Sequence, residues 1–358
     1  MKKIRVGIIG QGRSGRNIHG LGFNDPAMRE MYQIVGVTDQ IPERCQETCS
    51  EHPGCKAYTD YHEMLKDRSI DLIVNSTVNE QHVPVSIECM KAGFDVVCEK
   101  PAAYTVAAMD KLIACRKKTG RFVSIFQEAR LHPGVQKIFE VVRSGKLGRI
   151  LQINLKNNGF GRRWDWQTLQ CHEGGSLSNN GSHQLDQALA LLDFAMPERI
   201  VSVMDNINSF GDADDYVKIL LLSKNKPVVD LEVSSCAGYP VDPFQIYAEF
   251  GSLTGSTQEL KWKYFKTNEA PLQKLILTPL PGRHYCSEKL PWYEESWTNT
   301  IAIDAPWLAR RYYEQLYQTL TKGVPFFCTL EQVRVQIAVI EECHKQNPLP
   351  KLKGIKAK

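Results

Sequence analysis

At 358 residues the chain is too long for one ordinary hydrophobic core and suits two domains. Hydrophobic residues at 42% and charged residues at 23% are the composition of a folded globular protein. A net charge of +4, from 44 basic and 40 acidic residues spread along the chain, leaves no footprint for nucleic acid or an anionic membrane.

Residues 4–9 form a short apolar run that reads as a buried strand; arginine and glycine interrupt it too often for a secretory signal. Gly10-Gln-Gly12-Arg-Ser-Gly15 follows, then a helix, then a second strand over 33–38 that ends at Asp39. A strand, a GxGxxG turn, a helix and an acid closing the next strand are the context a dinucleotide-binding motif requires. Gly10 permits the tight turn, Gly12 lets the backbone approach a pyrophosphate, and Gly15 lets helix and strand pack closely. Asp39 lies further on than the usual ~20 residues, an excess that an insertion around 24–31 accounts for. A carboxylate there accepts hydrogen bonds from ribose hydroxyls and repels a 2′-phosphate, so NAD is expected over NADP, with Arg13 and Arg44 as candidate phosphate ligands.

Helices over 42–50, 82–92 and 105–118 alternate with strands over 70–76, 94–98 and 122–126, a rhythm that predicts a doubly wound parallel sheet. Beyond about residue 125 the rhythm changes. Strand-like runs at 149–156, 200–208, 216–223, 227–234 and 244–250 predict a mostly antiparallel sheet with an open face, closed by helices at 133–144, 182–193 and 329–345. The expected division is a Rossmann domain over 1–125 and an α/β domain over 126–358. Residues 281–299 read as a long aromatic loop, a lid or an oligomer contact. The tail after Pro348 reads as frayed. Eleven cysteines, odd in number and without a CxxC pair or zinc spacing, read as reduced thiols of a cytoplasmic protein. Cys171 and His172 lack partner ligands, so no metal is expected. His19, His52 and His344 read as helix or surface residues.

Glu99-Lys100-Pro101, taken with Gly10 to Gly15, Ser76 to His82, Ala129 to Pro133, Ser144 to Gly148 and Gly174 to Asp186, resembles the Gfo/Idh/MocA family of glucose–fructose oxidoreductase and inositol dehydrogenase. The resemblance runs over nearly the whole length. It implies a cofactor lying along the first domain, a substrate in the cleft between domains, and an open sheet that builds a homo-oligomer, dimer or tetramer. It implies that Lys100 touches the substrate hydroxyl and that His183 shuttles its proton. Ser14, Thr77, Asn79, His82, Glu99 and Lys100 join the glycines, Arg13 and Asp39 as cofactor-lining positions. Many members carry an aspartate four residues before that histidine, where this chain has Asn179; asparagine can hold a hydroxyl but cannot take its proton.

The residues support this chemistry by themselves. Oxidising a secondary alcohol moves a hydride to a nicotinamide and a proton to a base, and histidine, with an unperturbed pKa near 6.5, suits that work. A lysine beside a cationic ring has its pKa lowered and can steady a developing alkoxide. Lys100 ends a parallel strand at its carboxyl edge, where such sheets bind ligands. Glu99 is expected to orient Lys100 or its loop.

Arg162, Arg163, Trp164, Asp165 and Trp166 crowd into a short run. Their charged groups can bind sugar hydroxyls while an indole covers the apolar face of a ring. Arg130, Asn179 and His183 complete the expected substrate contacts, with Lys156 a weaker candidate. The expected activity is NAD-dependent hydride transfer from a sugar, sugar acid or cyclic polyol. Two alternatives stand beside it: a redox-neutral enzyme of the epimerase or glycosidase type that returns the hydride, and a catalytically silent NAD-dependent binding protein.

Overall fold

Short apolar runs separated by helices line up as a parallel sheet in the computed structural model, which describes residues 3–280 and 282–354. Strands β1 (Ile4–Ile9), β2 (Tyr32–Thr38), β3 (Lys56–Tyr58), β4 (Leu72–Asn75), β5 (Asp95–Cys98) and β6 (Val123–Ile125) stand in the order β3-β2-β1-β4-β5-β6. Val6, Ile8, Leu72, Ile73, Val74, Val96 and Val97 are fully enclosed, as expected for strands covered on both faces. Helices Pro42–Glu51, His82–Lys91 and Val106–Thr119 supply the cover. The last is capped by the Thr105 hydroxyl, which accepts the Ala108 N–H, and it ends on Gly120 in the left-handed region.

Register decides where function can lie. Ile9 pairs with Thr38 and Asn75, Asn75 with Cys98, and Cys98 with Ile125. The residues that follow (Gly10, Asp39, Ser76, Glu99 and Phe126) therefore emerge in a row at the carboxyl edge, and the strand order reverses between β1 and β4.

The second sheet holds β7 (Ile150–Asn158), β8 (Arg199–Asp205), β9 (Tyr216–Leu222), β10 (Val228–Ser234), β11 (Phe244–Ala248), β12 (Gly251–Gly255), β13 (Glu259–Tyr264) and β14 (Tyr293–Thr298). Its order is β14-β13-β12-β11-β7-β10-β9-β8, antiparallel except for the parallel pair β7 and β10. Alternation is plain in β9, where Val217, Ile219 and Leu221 are buried between more exposed neighbours. Helices Pro133–Arg143, Ser182–Leu191 and Leu330–Gln346 share the core with the buried face. Lys156 lies on the other face, where it pairs with Asp230 at 2.8 Å beside Lys218 and Glu232; it does not reach the cleft.

Three features depart from the sequence expectation. The 281–299 segment is not all loop, because Tyr293–Thr298 is strand β14; Pro281 lies outside the described residues. Strands β12 and β13 extend the sheet. A helix at Ala305–Lys322 returns to the first sheet, with Tyr312 hydrogen bonded to Ser124 at 2.6 Å and Tyr313 packed 4.2 Å from Phe23. Among the described residues no helix is long and apolar enough to cross a membrane.

Candidate active site

The glycine turn is built as a nucleotide cradle must be. Gly10 has φ +89°, and a Cβ there would stand 2.4 Å from the Ser76 carbonyl. Gly12, by contrast, faces open space, with nothing within 4 Å of an added Cβ. Asp39 closes β2 with Oδ2 accepting the Gln11 N–H at 2.6 Å and Oδ1 accepting the Ile41 N–H at 2.9 Å. Arg44 stands 3.5 Å from the same carboxylate. Arg13 is exposed beside the turn, and its charge bears on Lys100. The glycine turn and Asp39 thus fit a dinucleotide.

The β4 end contributes differently. The Thr77 hydroxyl donates to Asn75, and Asn79 donates to the Glu173 carbonyl at 3.0 Å. His82, expected among the cofactor-lining residues, is enclosed, with one ring nitrogen 2.7 Å from the Pro101 carbonyl and the other 3.1 Å from that of Thr77. Its imidazole ties the strand ends together and has no nitrogen free for a cofactor.

At the β5 end, Glu99 turns inward. It accepts the Lys100 N–H at 3.0 Å and meets His19 Nε2 at 3.1 Å. Burial pushes this carboxyl up, but the His19 hydrogen bond and the charges of His19, Lys100 and His82 outweigh it and hold it at about 2. The other ring nitrogen of His19, Nδ1, lies 2.8 Å from the Tyr313 hydroxyl. His19, read as a helix or surface residue, lies in the helical turn Gly15–Gly20 and is fully buried, where it orients Glu99. The bond from Lys100 to Pro101 is cis.

Lys100 Nζ donates to the Asn179 carbonyl at 3.0 Å and to its side-chain oxygen at 3.2 Å. Asn179 lies in the π-helical turn Leu177–Gly181, which runs directly into the helix bearing His183. The turn is anchored by the buried Asp214, whose carboxylate accepts the Leu177 N–H at 2.8 Å. Two groups far apart in sequence thus converge. Burial lowers the Lys100 pKa, partly offset by Glu99 and Glu128. Burial and the Lys100 charge push His183 down to about 3, leaving a neutral imidazole.

Arg130 was expected to bind substrate, and the structure gives it another task. Its five N–H groups go to both Asp186 oxygens at 2.6 and 2.8 Å, to the Phe327 carbonyl, to Gln332 and to Cys328 Sγ at 3.6 Å, which leaves no donor for a sugar hydroxyl. Arg163 is held by Asp165 and Gln167 in the loop before the turn Trp166–Thr168. Trp166 is partly exposed and set edge-on to His172, whose ring meets Glu80 at 2.6 Å. Trp164 is 78% exposed, its ring 6.4 Å from that of Phe210.

Sequence reasoning missed Glu128, whose Oε1 lies 3.9 Å from His183 Nε2. Its signal was available: it stands just beyond a parallel strand, like Lys100. Among the described residues no group of three or more His, Cys, Asp or Glu side chains is placed to hold a metal ion.

Comparison with known proteins agrees with this architecture. Residues 4–127 match a family described as "Oxidoreductase family, NAD-binding Rossmann fold", and residues 135–254 match the GFO/IDH/MocA C-terminal domain. The chain is 25% identical over 333 residues to dehydrogenase aclE of Aspergillus oryzae, covering 86% of this chain and 88% of that protein. It is 26% identical to the scyllo-inositol 2-dehydrogenase (NADP(+)) IolW of Bacillus subtilis, over 61% of this chain and 59% of the relative. It is 27% identical to mouse trans-1,2-dihydrobenzene-1,2-diol dehydrogenase, over 61% and 64%. An oxidoreductase structure from Bacillus cereus superposes with a TM-score of 0.78 over 99% of this chain and 100% of its own, at 20% identity.

Proposed function

The chain belongs to the Gfo/Idh/MocA oxidoreductases, and on that premise we propose that it is an NAD-dependent dehydrogenase of a secondary hydroxyl on a cyclic polyol, sugar or sugar acid. The observation that carries the proposal is the tie between Lys100 Nζ and Asn179, which brings the lysine to the helix start where His183 stands.

A bound nicotinamide supplies the hydride acceptor. Around it Gly10, Gly12 and Gly15 admit the pyrophosphate, and Asp39 receives the ribose hydroxyls. Asp39 sets the preference for NAD, although one relative is named for NADP. Lys100 donates to the substrate oxygen and stabilises the alkoxide as it forms; confinement strengthens that interaction over its value in water. His183, neutral because it is buried beside a cation, is ready to accept the hydroxyl proton. Trp166 and Arg163 offer a flat apolar face and a cation for the ring and its hydroxyls. Two relatives are named for cyclic substrates with adjacent hydroxyls, which supports trying inositols first.

The test is formation of reduced nicotinamide with inositols, sugars and sugar acids. Sustained NADH formation is expected with at least one, and Lys100→Ala should lower kcat by about 100-fold or more while the NADH Kd stays within about twofold. Binding of NADH without turnover of any such compound, or full activity in Lys100→Ala, defeats the proposal.

A further inference from the structure

Dehydrogenation releases a proton, and His183 is a poor place for it to remain. An imidazole held near 3 passes a proton on at neutral pH but does not keep it. Asn179 offers a carbonyl oxygen that can accept a hydrogen bond and nothing that ionises. The Lys100 ammonium, with two bonds to that asparagine, has no lone pair to take a proton.

Glu128 stands in the turn Glu128–Leu131 directly after β6, on the edge that carries Glu99 and Lys100. Its Oε1 lies 3.9 Å from His183 Nε2, about 1 Å beyond hydrogen-bond reach. The residue is buried, and Oε2 has no hydrogen-bond partner among the described residues. The neighbouring carboxylates differ in this respect. Asp186 takes two bonds from Arg130, and Glu99 takes the Lys100 N–H and His19. A buried carboxyl oxygen without a donor is unfavourable for a purely structural group, so a role is needed that explains its retention.

We propose that Glu128 is the proton acceptor of the active centre: in the oxidation direction the substrate hydroxyl proton passes to the neutral His183 ring, and the imidazolium so formed gives its Nε2 proton to Glu128 Oε1. The proposal rests on the dehydrogenase assignment. The C–H bond breaks with its electron pair moving to the oxidised nicotinamide; the O–H bond breaks, and its electron pair forms the new carbonyl bond. The proton ends on the Glu128 carboxylate, which becomes a carboxylic acid, and no further oxidant is needed. Reduction runs the same path backwards.

The charges around Glu128 suit this. Glu99 and Lys100 face it from the β5 end, and His183 and Asp186 from the helix Ser182–Leu191. Arg130 in its own turn is occupied by Asp186. The helix Ala305–Lys322 presents Tyr312 and Tyr313 to the adjoining Phe126, and the helix Pro133–Arg143 presents Gln136 to the Arg130 carbonyl beyond its capping residue His132. Burial, then the Glu99 charge, pushes the Glu128 carboxyl up to about 8 against the opposing pull of Lys100. A group that titrates near the working pH can both accept and return a proton.

Glu128→Gln keeps the volume and removes the titration. With the best polyol or sugar from the substrate panel, its kcat should fall about 100-fold while the NADH Kd and KM hold within about twofold. The wild-type oxidation rate should rise as pH increases through about 8, and that limb should vanish in the variant. Glu128→Asp should restore part of the rate. Infrared spectra of the NAD-loaded wild type give a readout that needs no variant to be active: a protonated-carboxyl band present near pH 7 and lost on titration through about 8. An unchanged kcat and pH profile in Glu128→Gln, beside normal wild-type turnover, overturns the Glu128 assignment alone. So does the absence of that band near neutrality. A wild type that binds NADH yet turns over nothing overturns the dehydrogenase assignment itself.

Discussion

Under the proposed function, Asp39 is the side chain that would choose between two cofactors. Backbone N–H groups of Gln11 and Ile41 hold its carboxylate at the end of β2, with Arg44 waiting 3.5 Å away. Asp39→Ser removes the charge that opposes a 2′-phosphate and frees Arg44 to meet one. The ratio of the NADPH to the NADH Kd, read by nucleotide fluorescence, should fall about tenfold or more, equivalent to about 1.4 kcal/mol. An unchanged ratio would make Asp39 a turn-capping residue and nothing more. The positions of such candidates are legible in sequence, since Gly10, Asp39, Lys100 and His183 each lie at a strand end or a helix start. Arg130 and His82 were given other roles by the sequence, and the burial of His19 went unseen, because burial is set by partners far off in sequence, such as Asp186, Pro101 and Tyr313. Glu128 in Gln127-Glu128-Ala129 has only its place just beyond a strand to mark it, and no motif around it. It becomes meaningful only when the register of β6 against β5 sets it beside Lys100.

Between β13 and β14 the chain makes an excursion that the rest of the fold does not require. Tyr264 and Tyr293 pair directly across the two strands, and their rings stack with centroids 5.6 Å apart. Leu272, Leu277 and Tyr285 in the excursion are each more than 80% exposed, so they bury no surface in this chain. Replacing residues 270–289 with a few glycine and serine residues should leave Tm within about 2 °C and the NADH Kd unchanged, since a longer loop adds only slowly to closure entropy. A large loss of Tm would show that the segment is held within the monomer after all. A lower mass in solution would identify it as a contact between copies. The strands on either side show the limit of pattern reading. β13 alternates strictly, with Leu260, Trp262 and Tyr264 inward between Glu259, Lys261 and Lys263, yet the strand-like runs read from the sequence stop at residue 250. The helix Ala305–Lys322 carried an Asp304 cap and Pro306 at its first turn, but its buried stripe of tyrosines packs on the first sheet, a destination no local pattern reveals.

For the molecule as a whole, the same burial that prepares the site sets how stability depends on pH. Glu128 is pushed up to about 8, and Glu173 and Asp214 to about 7, in each case chiefly by burial. Between the ordinary carboxyl value near 4 and these raised values the folded chain keeps protons that the unfolded chain has lost, so stability falls as pH rises through that window. His183, at about 3, and His344, at about 4, act in the opposite sense. Below about 6.5 the unfolded imidazoles bind protons that the folded ones refuse, so stability climbs as pH rises toward that value. Glu99, held at about 2, adds to the loss on the acid side. The opposing slopes place the maximum on the acid side of neutrality, and Tm without cofactor should peak at roughly pH 5 to 6 and decline toward about pH 9. Thermal denaturation followed across that range at constant ionic strength checks the shape. Glu128→Gln should flatten the alkaline decline and gain on the wild type as pH rises, although it loses activity over the same interval. A Tm that holds level or increases from about pH 6 to 9 would mean that these carboxyls are already ionised in the folded chain. Glu128 could not then be the group that gains its charge as the enzyme becomes competent to oxidise.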